Sequence, residues 1–432
     1  MGTLLTAGVI LIAYAATSAR LDRLGVTSAI VFVSAGLAVG GAGWFDVGAA
    51  SEVAQRVTEV ALVLLLFSDS ARLDLRALRD HLAWPSRLLL IGLPLTMLLG
   101  IGAGLLLFPG LGLAGAFLLS TMLCSTDAAL GQRVVEDPAV PARVRQALDV
   151  ESGLNDGLAV PFFLVALDIS LATLDSAVPS AVFHNAAEQI GWGLVAGIGT
   201  GVLAGLVFRR SERAGWLHGQ WVQLFTIAAA LTGYAAAATL GGSGFIAAFV
   251  GGMAFGHVSR EHGLRATAFT EETGNLLAAV TWIGFGAVAV RTVWPEIGWR
   301  VLAYALLSLT VVRMVPVAVA FTRSGARWPT VAFAGWFGPR GLASVVFGLI
   351  ALEHGIPDEE TILATVVVTV ALSVLLHGLT ALPLVAAYRR WYDGAGPRAG
   401  TGGEAVGEAQ DTPVPRARRR AAPASAPAAT AI

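Results

Sequence analysis

The sequence predicts an all-α, polytopic membrane protein with about 13 transmembrane helices. Three observations carry this. Of 432 residues, 56% are hydrophobic and only 13% are charged, where an ordinary soluble domain carries about 25% charged residues. The mean hydropathy is +0.72, too apolar for a surface in water. The apolar residues form long unbroken runs, unlike the short alternating segments of a transmembrane barrel. Together these exclude a soluble enzyme, a disordered chain and a nucleic-acid binder, and leave the lipid bilayer as the surrounding partner. The 51 glycines suit closely packed membrane helices. A net charge of −1 points to no acidic or basic partner, and the 28 basic residues are all Arg. The single Cys124 excludes an internal disulfide and a thiolate metal cluster.

A spanning helix needs about 20 apolar residues, and basic residues collect in cytoplasmic loops. Run one, 4–19, has no small-residue cleavage site and is expected to be a retained span, followed by Arg20 and Arg23. Run two is 26–43. Run three, 53–68, is followed by Arg72, Arg76, Arg79 and Arg87, with 74–84 expected as an interfacial helix or loop. Run four is 88–108. Run five, 111–136, ends among Arg133, Arg143 and Arg145. Run six is 144–169. Run seven, 190–208, leads to Arg209, Arg210 and Arg213. Run eight is 221–240, and run nine, 245–258, leads to Arg260 and Arg265. Run ten is 276–290. Run eleven, 301–321, leads to Arg323 and Arg327. Run twelve is 331–352, and run thirteen, 362–388, ends at Arg389 and Arg390. Eighteen Arg therefore fall on one side, against Arg56, Arg291 and Arg300 on the other. A wrong count would break that alternation, although short runs one and nine keep twelve spans as the other count. The N-terminus is expected outside and the C-terminus in the cytoplasm of a multi-pass protein of the cytoplasmic membrane. Residues 1–392 form the transmembrane domain. Residues 393–432, rich in Ala, Pro and Gly, are expected to be a disordered cytoplasmic tail whose Arg416, Arg418, Arg419 and Arg420 obey the same charge rule.

The informative residues are the charges inside the runs. An ionised side chain at mid-bilayer costs roughly 2.5–3.5 kcal/mol even on the gentlest scale, so it faces a cavity or a partner. Run five carries Ser125-Thr126-Asp127 in mid-span. Hydroxyls there can rescue backbone groups freed by a broken helix, and Asp127 can cap the second half-helix. Run six reads Asp149-Val150-Glu151-Ser152-Gly153-Leu154-Asn155-Asp156-Gly157. Ser152 and Asp156 share one face, Glu151 and Asn155 the adjacent one. Such a set suits a monovalent cation that wants several oxygens. Arg313 in run eleven needs a buried carboxylate, and Glu151 is the natural partner. Gly338-Pro339-Arg340-Gly341 interrupts run twelve. Two interrupted runs seven spans apart point in opposite directions, the sequence sign of inverted repeats with two crossing discontinuous helices. Asp127 would then balance the positive half-helix ends and Arg340 the negative ones.

These stretches, Ser125-Thr126-Asp127, Glu151 to Gly157 and Gly338 to Gly341, resemble the bacterial sodium/proton antiporters of the monovalent cation/proton antiporter superfamily. They look most like the electroneutral NhaP-type branch, which carries Asn-Asp in this span. Gly241-Gly242-Ser243-Gly244-Phe245 and His377-Gly378 also look familial. The resemblance covers about residues 4–390. It implies that Asp156 binds the ion and the proton, that Ser152 and Thr126 add oxygens to a bound Na+, and that Asp127 serves the site and the helix crossing with Arg340. It implies a supporting polar cluster of Glu151, Asn155 and Arg313. It also implies a homodimer with a moving core domain, and no cofactor besides the transported cation and H+. One departure stands out. The family often places an acid in a Phe-Glu-Gly-Gly pattern after span three, where this chain has Phe67-Ser68-Asp69-Ser70. The acid is shifted by one position, about 100° around a helix. Either Asp69 substitutes by another path or Ser68 lines the site.

The expected activity is not enzymatic. It is antiport of protons against Na+, or Li+, by competition at Asp156, as in pH homeostasis. K+/H+ exchange on the same fold is the alternative. An intramembrane hydrolase is disfavoured: the sequence has no His-Glu-x-x-His pattern, and His257 and His262, five apart, do not share a helical face.

Overall fold

The computed structural model describes residues 2–42, 47–73, 83–175, 179–259 and 261–394. Helix is the regular structure of these residues, joined by short turns and loops, with no strand among them. In chain order the helices are α1 (Gly2–Arg23), α2 (Ser28–Gly41), α3 (Val47–Ala71) and α4 (Ala83–Leu107). Next come the halves α5a (Gly112–Met122) and α5b (Ala128–Glu136), then α6 (Ala142–Asp175), α7 (Pro179–Arg213) and α8 (Gln220–Thr239). They are followed by α9 (Gly244–Ser259), α10 (Glu261–Gly284) and α11 (Trp299–Ala320). The halves α12a (Trp328–Trp336) and α12b (Leu342–His354) and then α13 (Glu359–Gly394) complete the set. Each apolar run has one helix or one broken pair. Among the described residues, seven helices are long and apolar enough by themselves to cross a membrane; α2, α5a with its leading turn (Pro109–Met122), α9 and α12b are shorter apolar helices.

Two bodies follow from how the helices touch. In the first, α2, α3, α7, α9 and α10 pack together, and glycine brings backbones into contact at α2–α10, α3–α9 and α7–α9. Gly193, Gly197, Gly201 and Gly205 recur every four residues on α7, and α9 lies on that face. A Cβ at Gly197 would sit 2.8 Å from the Ala247 carbonyl oxygen, and one at Gly193 2.9 Å from that of Ser243. Gly252 and Gly256 of α9 press on the α3 backbone at Phe67 and Ala71 in the same way. In lipid no hydrophobic force draws helices together, so close van der Waals approach at small residues does.

The second body holds α4, α5, α6, α11, α12 and α13, the set with the broken helices. Tyr304 of α11 donates to the Gly100 carbonyl of α4 (3.2 Å), and Ser120 of α5a to that of Met97 (2.8 Å). Between the bodies the contacts are mainly side-chain ones: Phe249 of α9 on Gly157 of α6, Asp69 of α3 beside Gly153 of α6, and Gln55 of α3 bonded to Glu353 of α12b.

Three local features depart from the simple run pattern. Helix α10 begins well before run ten, because its first turns carry Arg265, Glu271 and Glu272 and so read as polar; the Arg72–Glu271 ion pair ties this part to the end of α3. Helix α11 bends at Thr310 (φ −114°, ψ −90°). Helix α4 opens a π-turn at Leu88–Gly92, just ahead of Pro94, which has no N–H to give. Most of the stretch expected as an interfacial element, 74–82, lies outside the described residues, as does 395–432 of the expected tail; α13 itself runs to Gly394.

Candidate ion-binding site

The site is built where two broken helices cross. Helix α5a stops at Met122 and α5b starts at Ala128; α12a stops at Trp336 and α12b starts at Leu342. The two breaks touch directly, with Asp127 N–H donating to the Pro339 carbonyl (2.8 Å). Asp127 is 8% exposed and serves both helix starts. Its Oδ1 accepts from Ala129 N (2.8 Å) and Leu130 N (3.1 Å) at the start of α5b. Its Oδ2 accepts from Leu342 N (2.8 Å) at the start of α12b. One carboxylate thus faces two positive helix ends. Arg340 does the converse. Fully buried, it donates from Nη1 to the carbonyls of Cys124 and Ser125, both at 3.0 Å, just beyond the negative end of α5a. Gly341 is needed here, because a Cβ would overlap the Asp127 carboxylate.

Helix α6 passes this crossing with its polar turn. Glu151 and Arg313 form a bidentate pair; Arg313 Nη1 meets Oε1, and Nη2 lies 2.8 Å from Oε2. The two side chains are 2% and 4% exposed, so the pair is dry. Arg313 lies across Gly338, in space a Cβ would fill. Thr126 Oγ1 is 3.2 Å from Ser152 Oγ and accepts from Asn155 Nδ2 at 3.4 Å. Asn155 Oδ1 and Asp156 Oδ1 are buried acceptors that no described donor satisfies. Thr126 and Ser152 thus meet at the crossing, with the Asn155 amide nitrogen turned to Thr126. Asp156, one turn beyond Ser152 on α6, has Ser125 of the α5 break as a hydrogen-bond partner. Hydroxyl and carboxylate oxygens are hard donors of the kind an alkali cation takes. Among the described residues no three His, Cys, Asp or Glu side chains converge as a metal-binding group.

Each residue singled out from the sequence can now be placed. Thr126, Ser152 and Asn155 come together, and Asp156 reaches the same break through Ser125. Glu151 pairs with Arg313, beside them. Asp127 and Arg340 hold the crossing, and both Asp127 oxygens are engaged by backbone N–H groups. At the α3 position, Ser68 is fully buried and donates back to the Leu65 carbonyl (3.1 Å), whereas Asp69 lies against α6 at Gly153. Two residues were not assigned a part by sequence: Ser373, and His377, noted only for its resemblance. Both are buried on α13 and bond to the α12 break. Their one sequence signal is the four-residue spacing of Thr365, Thr369, Ser373 and His377 within an apolar run.

The family described as sodium/hydrogen exchanger, transmembrane, matches residues 8–387. The K(+)/H(+) antiporter NhaP2 of Shewanella baltica is 27% identical over 396 residues, covering 88% of this chain and 64% of the relative. The K(+)/H(+) antiporter NhaP of Alkalimonas amylolytica is 26% identical, with coverage of 90% and 66%. The Na(+)/H(+) antiporter 2 of Zygosaccharomyces rouxii is 26% identical, with coverage of 74% and 42%. The chain thus spans less than two thirds of the length of these relatives. In structure it is similar to the sodium proton antiporter MjNhaP1 of Methanocaldococcus jannaschii at pH 8, with a TM-score of 0.71 and 18% identity over 87% of this chain and 98% of that one. The match over nearly the whole helical region, together with the crossing of the two broken helices, means that this chain belongs to the transmembrane sodium/hydrogen exchanger family.

Proposed function

We propose that the protein is a secondary active antiporter that exchanges protons for a monovalent cation at Asp156. One observation carries the reading: Asp156 is a carboxylate at the crossing with one buried oxygen, Oδ1, that lacks a protein partner, one turn from the Ser152 hydroxyl that meets Thr126. The charges that build the crossing are matched, and Asp69 of α3 is a further carboxylate beside α6. Glu151 faces Arg313, Asp127 faces two helix starts, and Arg340 faces the end of α5a. A single negative charge is compensated by one proton or one alkali cation, not both. Exchange of one for the other moves no net charge, which supports electroneutral turnover.

The cation in this reading is Na+, with Li+ as a close analogue. K+ is the second reading, supported by the names of the Shewanella and Alkalimonas relatives. Arg placement supports an N-terminus outside and a C-terminus in the cytoplasm of the cytoplasmic membrane. A homodimer is carried over from the family. Alternating access would move the body of α4–α6 and α11–α13 against the glycine-packed body.

The test is exchange in proteoliposomes, read with a pH-sensitive dye while Na+, Li+ and K+ are added in turn. The wild type should move protons with at least one of them, at a rate independent of imposed voltage. Asp156→Asn should fall to the protein-free rate. An Asp156→Asn protein exchanging at the wild-type rate would overturn the reading.

A further inference from the structure

We propose that Ser373 and His377 of α13 are positioning residues for the exchange site: hydrogen-bonded to each other, they clamp both sides of the α12 break, with His377 as the neutral Nε2–H tautomer. The inference rests on the reading of Asp156 as the exchange carboxylate. The two side chains lie one turn apart and are 0% and 2% exposed. Before the break, His377 Nε2 is 2.9 Å from the carbonyl oxygen of Trp336, the last residue of α12a. The Trp336 ring lies on the imidazole, with centroids 5.2 Å apart, and its Nε1 donates to Thr380 Oγ1 of α13 (2.9 Å). After the break, Arg340 N–H donates to Ser373 Oγ (2.7 Å).

Hydrogen-bond direction selects the tautomer. Ser373 Oγ accepts from Arg340, and its own proton can point to His377 Nδ1, 3.2 Å away. Nδ1 is then an acceptor and the ring proton is on Nε2, aimed at the Trp336 carbonyl. Each neutral form leaves one ring lone pair facing a carbonyl 2.9 Å away, Nδ1 against Ser373 in the Nε2–H form and Nε2 against Trp336 in the other. But the Nε2–H form makes two hydrogen bonds, to the Trp336 carbonyl and from the Ser373 hydroxyl, where the Nδ1–H form makes one. An imidazolium would satisfy both carbonyls. It would also add a third cation to Arg340 and Arg313, the charged groups that act on it, whose negative partners are already used.

The clamp reaches the site through the loop it holds. Between Trp336 and Arg340, the Pro339 carbonyl receives Asp127 N–H, and Gly338 seats Arg313 against Glu151. A shift of this loop moves Asp127 and with it Thr126, one of the cation's oxygens. A buried hydrogen bond is worth about a factor of ten in an equilibrium. Loss of the clamp should therefore weaken cation binding more than it slows maximal turnover.

Two measurements decide this. In proteoliposomes, His377→Leu should raise the cation concentration for half-maximal exchange roughly tenfold with a smaller change in maximal rate. His377→Gln, which keeps an N–H toward the Trp336 carbonyl, should restore it to within about threefold. Wild-type half-saturation in His377→Leu would overturn the proposal, as would a Gln variant as impaired as the Leu variant. The second measurement needs no transport. In the full chain labelled with 15N-histidine, the resonance lost in His377→Gln should report a neutral Nε2–H ring at neutral pH, and Ser373→Ala should shift its Nδ1. An Nδ1–H ring or an imidazolium would overturn the proposal. A wild-type protein without exchange would instead sink the antiport reading and leave the tautomer assignment to the spectrum.

Discussion

Glu151 and Arg313, 1% and 3% exposed, are each tolerable in the bilayer only because of the other. Removing one charge of such a pair strands its partner, which typically costs about 3–5 kcal/mol, whereas replacing both by apolar groups of similar volume is near neutral or stabilising. Glu151→Gln should therefore melt well below the wild type in detergent, and the double variant Glu151→Leu/Arg313→Met should recover most of the loss. Equal melting of all three proteins would show that the pair is not a stability element. This pairing was legible in the sequence, because a lone Arg in an apolar run has few possible partners and Glu151 lay in the one other run rich in acids. The choice between Ser68 and Asp69 was not. It depends on the rotation of α3 against α6, which is set by the Phe67 and Ala71 backbones lying under Gly252 and Gly256, contacts remote in sequence.

At the scale of helices, the crossing is held by an acceptor with no donor of its own. Asp127 takes three backbone N–H groups on its two oxygens. An Asn there can be turned either way, but one orientation sets its NH2 against Leu342 N–H and the other sets it against Ala129 and Leu130. Either leaves buried donors unpaired, at about 1–3 kcal/mol. Asp127→Asn should lower the melting temperature in detergent and impair exchange, although it removes no group from the Asp156 oxygen set. Asp127→Asn with wild-type melting would contradict the double-cap account. The breaks themselves differed in how openly the sequence shows them. Gly338-Pro339 marks the α12 break by its residue types. The α5 break has neither Gly nor Pro and shows only as hydroxyls and one acid in mid-run. The bend of α11 has no local mark, since Thr310 is followed by Pro only at 316. The Ser373–His377 clamp was unreadable because its partners are main-chain groups, which every residue carries.

For the whole molecule, the contrast between glycine-packed and side-chain contacts defines what can move. Backbones in van der Waals contact at α7–α9, α9–α3 and α2–α10 have no slack, since packed interfaces switch between discrete arrangements and do not stretch. The boundary to the broken-helix body is bridged by separable polar contacts at opposite ends of the helices. At one end Gln55 Nε2 of α3 donates to Glu353 Oε2 of α12b (2.6 Å). At the other, Arg133 of α5b donates to Asp22 Oδ1 (2.8 Å) and to the Val26 carbonyl (2.7 Å), between α1 and α2. A rocking of one body against the other must open such bridges. A short thiol-reactive cross-linker between Gln55→Cys and Glu353→Cys should therefore stop exchange, and a reductant that cleaves it should restore exchange. Cys124 is 1% exposed and out of reach of the reagent. The control is a tether within the first body, between Arg72→Cys and Glu271→Cys, which replaces the ion pair joining α3 to α10. That tether should leave the rate unchanged, because α3 and α10 travel together. If both tethers stop exchange, or neither does, the boundary of the moving body does not run between α3 and α12b, and the site must open by motion within the broken-helix body itself.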